Sequence, residues 1–255
     1  MGGMRMTFDA WNNFVIGTLG LTPPDVIAIV WFFICTVGYN FVTGSRTLNR
    51  VSLVGAIQVQ RQHWMTNMAL RSDRVIDVLL ISNLASGNSF FASTSIVILG
   101  ALSALLGSGE RAQAVLDRLP FTAHSSSGAW DIKIIVLMMV FIYAFFKFAW
   151  AFRLGHYSMI VMGATPPLSS GSASEREHQA SRAARIAGIA AEHGNLGLRA
   201  YYFGMAAIGW FFHPLAFIAS TTLVVLIVTR REFFSRTLNI LSDQRSRTIS
   251  TLPKI

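Results

Sequence analysis

Arg153 and His156 stand three residues apart where a long apolar run ends, and His193, Arg199 and Tyr202 stand where the next begins. Three- and four-residue steps share a helix face. If consecutive spans run antiparallel, the two groups meet at one depth, with Arg74 and Asp77 at the head of an earlier span beside them. Guanidinium, imidazole and phenol groups together suit an anionic head group, a carboxylate or a partner's acidic side chain. Arg74, Arg153, His156, Arg199 and Tyr202 are therefore assigned to an anion or head-group pocket. The competing reading leaves them as interfacial side chains on three independent helices. Lys147, inside FFKFAW, is a second candidate because a charge at membrane depth is costly; its long stem can also carry the ammonium to the interface. His213, just before Pro214, has no second ligand in view and reads as a neutral imidazole bonded to a carbonyl.

No phosphate loop, Ser/His/Asp set, HExxH or paired carboxylate occurs, so no metal, cofactor or catalytic residue is expected. An enzyme acting on lipid, with His156 as base, would lack a nucleophile. Acids are nearly absent from the apolar runs, which argues against a proton-coupled transporter. The halves show no clear inverted repeat.

The elements that position these residues are apolar. The chain has 255 residues, 53% hydrophobic and 13% charged, with mean hydropathy +0.50. Soluble domains carry about a quarter charged residues, so the deficit points to lipid. The charge of +9 comes mostly from arginines at the ends of apolar runs. That placement fits head-group contact and orientation signals, and not nucleic acid. The one cysteine, Cys35, excludes an intrachain disulfide framework and reads as a small hydrophobe. No cleavable signal peptide is seen.

The expected fold is an all-α integral membrane bundle with four transmembrane helices, at about 25–43, 75–107, 132–162 and 199–229. An amphipathic interfacial helix lies between the first and second, with Leu53, Val54, Ile57, Trp64, Met65 and Met68 on one face; packing against protein would give the same pattern. Residues 1–22, with Phe8, Trp11 and Phe14, read as an interfacial segment, 23–230 as the membrane domain and 231–255 as a basic peripheral tail. TPPLSSGSASEREHQ reads as a mobile linker, with a helix resuming at Ala180. The apolar run from Ala200 to Thr229 is about 45 Å as a straight helix. That is short of two spans, so one span kinked at Pro214 is expected.

Orientation signals conflict. Arg5 before the first span, with Arg46 and Arg50 after it, places the N-terminus outside and the 46–72 loop inside. Four spans then leave the tail outside despite Arg230, Arg231, Arg236, Arg245 and Arg247. A re-entrant segment near His213 and Pro214 would change the count.

Along the second span Ser82, Ser86, Ser89, Ser93, Ile96, Gly100, Ser103 and Gly107 recur at alternating four- and three-residue steps. A small-residue edge of this kind lets another backbone approach in lipid. It is expected to be the seam of the bundle.

Arg61, Trp64 and Met68, the run NSFFAST from Asn88 to Thr94, Arg153, and Gly197, Arg199, Tyr202, Trp210 and Pro214 together resemble a family of multi-pass membrane proteins of bacteria and plants, catalogued as a domain of unknown function. The likeness covers about residues 46–230. It implies a four-span helical membrane protein and no activity. Gly87 stands where that family's pattern has a basic residue.

The expected function is therefore non-enzymatic: an accessory or assembly subunit, or a homo-oligomeric scaffold, of the bacterial inner membrane. It acts by helix packing, with anionic lipid and other membrane chains or copies of itself as partners. The alternative is a channel or carrier for a small anionic solute, with Arg153, Arg199 and Tyr202 at its mouth and the serine stripe facing water.

Overall fold

The computed structural model describes residues 20–45, 48, 51–107, 114 and 126–241. Phe8, Trp11, Phe14, Arg5, Arg46, Arg50, Arg245 and Arg247 lie outside these residues, as do all but three residues of the 1–22 segment and the tail beyond Leu241. The described residues fold into long helices: α1 (Pro23–Thr43), α2 (Leu53–Ala69), α3 (Val75–Gly107), α4 (Ser127–Gly163), α5 (Ala173–Ala207) and α6 (Pro214–Phe233), with a 3-10 turn at Ile208–Phe211. Four stretches are long and apolar enough to cross a membrane: Pro23–Thr43, Val75–Gly107, Ser127–Gly163 and Pro214–Leu241. The all-helical membrane reading therefore stands.

Local chemistry fixes the helix starts. Thr22 caps α1, whose first two residues are prolines suited to a first turn. Asp25 reaches back to accept from the Thr22 backbone N–H (3.0 Å) and hydroxyl (2.5 Å), the acid's half of a capping box. Ser52 caps α2 by accepting from Gly55 N–H. Ser172 caps α5 by accepting from Glu175 N–H (3.1 Å). The linker expectation is thereby corrected: only residues 164–172 connect α4 to α5, and SEREHQ is already helix. Its polar residues sit on the outer face, while Ala180, Ala183, Ala184 and Ala187 are buried at helical spacing.

The span expected at 199–229 is not one kinked helix. α5 stops at Ala207, and the chain reverses before α6. Ser220 Oγ donates to Ala206 O (2.8 Å), and a Cβ on Gly209 would lie 3.2 Å from Ala216 O. Trp210 stacks on Phe217 at 5.1 Å. Pro214, with no N–H and a preset φ, starts a helix more readily than it continues one.

The chain divides into two compact units, each with its own core. Of the described residues, the first takes 20–39, 94–107, 126–144 and 199–226; the second takes 40–93, 145–198 and 227–241. The first core is aromatic. Phe32 lies 5.1 Å from Phe217 and 6.0 Å from Phe203, and Trp130, Phe141 and Trp210 are buried with them. The second joins Met65, Met68 and Ala69 of α2 to Ile81, Met162 and the four buried alanines of α5. The apolar face of α2 is thus covered by protein at these methionines. Gln58 Nε2 on the same helix donates to Ala184 O (3.3 Å).

Candidate functional site

The second unit holds Arg74, Arg153 and His156, and each is engaged locally. Arg74 donates to the carbonyls of Thr165 and Pro166, the latter at 2.8 Å, so a cation meets the carbonyl end of α4. Arg153 is exposed; its Nε donates to Tyr157 OH (2.9 Å), with the guanidinium 5.9 Å over that ring. Thr165 stands twelve positions beyond Arg153, two past the end of α4, or about 18 Å along the axis. His156 is exposed, with Nδ1 3.0 Å from Phe152 O. Arg199 and Tyr202 belong to the first unit, where Arg199 is buried with its guanidinium 5.1 Å over the Tyr39 ring. Neither unit assembles the five residues into one pocket. In the second unit Arg74 and Arg153 lie apart because α3 meets α4 with Ala85 at Gly155, and the end of α4 meets α5 near residue 183, where Ser158 Oγ donates to Ala183 O (3.1 Å).

His213 is exposed, and its Nδ1 accepts from Leu215 N–H (3.1 Å), capping the start of α6. Lys147 acts electrostatically on His193, one helix away. Among the described residues no three His, Cys, Asp or Glu side chains could hold a metal ion.

The serine and glycine stripe is not where this chain packs α3. Ser86, Ser93, Ile96, Gly100, Ser103 and Gly107 are exposed, and Ser82 and Ser89 half-buried. No atom comes within 4 Å of where a Cβ on Gly100 or Gly107 would stand. Ser86 and Ser103 donate to the carbonyls of Ser82 and Leu99, each at 2.9 Å. The packing face is the neighbouring one, with Ile81, Ala85, Ala92, Ser95 and Leu102 buried. There a Cβ on Gly155 would stand 2.8 Å from the Ala85 Cβ, and Phe91 stacks on Phe148 at 5.1 Å. The closest backbone approach of α3 and α4 thus uses a glycine on α4.

Two polar knots were not read as such from the sequence. In the first unit Trp210 Nε1 donates to Asp25 Oδ1 (2.7 Å), and the buried Lys133 Nζ lies 5.6 Å over the Trp210 ring, within the field of Asp25. In the second, Trp64 Nε1 (2.6 Å) and Arg71 (2.8 Å) both donate to Asp77 Oδ1, and Oδ2 is buried without a hydrogen-bond partner. The available signal was a tryptophan plus an aspartate in the first turn of a long apolar helix. Both knots tie one element to another.

The model of DUF599, a family of proteins of unknown function, matches residues 27–237. No curated protein and no solved structure matches the chain.

Proposed function

The chain belongs to the DUF599 family, and on that premise we propose an integral protein of the bacterial inner membrane, without chemistry of its own, that works as an accessory subunit or self-associating scaffold. One observation carries this reading. The run of α4 from Ile134 to Phe152, apolar except for Lys147, is bounded by Lys133 and Arg153. Its 19 residues rise about 28 Å, close to the roughly 30 Å of a hydrocarbon core. Trp150 and Tyr157 flank Arg153, as interfacial aromatics do.

In the second unit α3 runs antiparallel to α4, with Ala85 at Gly155 and Phe91 at Phe148. Residues of α3 before about Gly87 therefore lie past Arg153, beyond the hydrocarbon. There α3 exposes Val75, Ile76, Leu79, Leu80 and Leu84. An apolar ridge in water is a contact surface awaiting cover. At about 25 cal/mol per Å2, covering it favours association. Val75 and Leu79 continue into the bilayer as the small-residue stripe, whose Ser86 and Ser103 hydroxyls are satisfied within the helix and need no water.

The test is extraction of the full chain into polymer nanodiscs, with the particle mass compared for wild type and the double variant Leu79→Asn/Leu84→Asn. The reading expects wild type in an assembly larger than one chain and the variant as single chains.

A further inference from the structure

We propose that α5 crosses the membrane as a fifth helix, sheltered by protein, so that the arginines between α1 and α3, at the start of α5 and after α6 face the cytoplasmic leaflet and its anionic head groups. The register of α5 along α4 carries this. In the second unit a Cβ on Gly197 would stand 2.7 Å from the Phe148 ring; in the first, a Cβ on Gly204 would stand 3.1 Å from the Phe141 ring. Within each unit the two helices run antiparallel: in the second, Ser158 Oγ further along α4 donates to Ala183 O further back on α5, and in the first, Lys133 further back on α4 lies over Trp210, beyond the end of α5. Within the second unit the Gly197–Phe148 contact sets Phe152 against about residue 193, and within the first the Gly204–Phe141 contact sets Ile134 against about residue 211. The lower end agrees independently, because Lys133 lies over the Trp210 ring. α5 is thus long enough to cross wherever α4 does.

Its composition hides this. Residues 194–211 include Asn195, Arg199 and four glycines, at 194, 197, 204 and 209. Yet nine of these eighteen residues are buried, and the two that are exposed are Met205 and Ile208. The one charge, Arg199, is buried against the Tyr39 ring, so it meets protein and not lipid. Glycines that weaken an isolated apolar helix here admit the Phe148 and Phe141 rings.

With α5 crossing, α1, α3, α4, α5 and α6 make five passes, and an odd number reverses the side of the tail. The end of α6, with Arg230, Arg231 and Arg236, then shares a face with α2, with the head of α3 and with the start of α5. Arg61, Arg71, Arg74, Arg176, Arg182 and Arg185 lie on those segments. Every one then obeys the positive-inside rule, and the conflict in the orientation signals disappears.

The test places single cysteines in the full chain in a Cys35→Ala background, at the exposed positions Ser170, Phe212 and Thr237, and labels intact spheroplasts with a membrane-impermeant maleimide. Phe212→Cys is expected to react at least tenfold more than the other two before lysis, and Ser170→Cys and Thr237→Cys only after it. Reaction of Phe212→Cys on the same side as Ser170→Cys, or of Thr237→Cys on the opposite side from Ser170→Cys, overturns the fifth crossing. If Phe212→Cys does not accumulate, His213→Cys reads the same turn.

Discussion

Asp25 in the first unit and Asp77 in the second are both buried, both stand in the first turn of a long helix, and both accept from an indole. They differ in what balances them. Asp25 has both oxygens filled, by Trp210 on one side and by Thr22 on the other, and a buried lysine sits within its field. Asp77 loads two donors onto one oxygen and leaves the other without a hydrogen-bond partner, and its cation, Arg71, is half-exposed. A carboxylate whose countercharge is also buried depends on its neighbours more heavily than one whose countercharge can turn to water. The first knot therefore holds its unit together more firmly than the second.

That ranking can be broken by measurement. Asp25→Ala strands the Trp210 N–H and removes the negative charge beside Lys133. Unfolding of the purified chain in detergent is expected to show a loss of roughly 3–5 kcal/mol, the scale of a broken buried pair. Asp77→Ala strands the Trp64 N–H but releases Arg71 to solvent, and should cost about 2–3 kcal/mol. A larger loss for Asp77→Ala than for Asp25→Ala would reverse the comparison.

The glycines sharpen it further, now between a packed and an uncovered face of one helix. Gly155→Ala drives a methyl into Ala85 across the α3–α4 contact and should cost about 1–3 kcal/mol. Gly100→Ala meets nothing and should stabilise the isolated chain by on the order of 0.5 kcal/mol through the lower backbone entropy of alanine. Equal losses at the two positions would mean that the stripe, too, is an internal contact.

The long apolar helices were legible because hydrophobicity is a property of each segment alone. The packing face of α3 was not: the Ser/Gly period is visible within one helix, but Ala85 is chosen by Gly155, seventy residues on. The helix from Ala180 is legible in the sequence, but its first two turns, 173–179, are not, because SEREHQ is polar on the outer face. Within the second unit Arg74 and Arg153 stay apart because α3 meets α4 with Ala85 at Gly155, which carries the head of α3 to the carbonyls after α4. Asp77 was noticed among arginines, whereas its shortest bond goes to Trp64, on the preceding helix.

The uncovered ridge of α3 is the feature on which the association part of the functional reading rests. Particle mass in polymer nanodiscs tests it most directly. Wild type held in an assembly larger than one chain, and single chains once Leu79 and Leu84 carry asparagine, is the predicted result. Wild type recovered only as single chains, or an assembly that survives both substitutions unchanged, would contradict it.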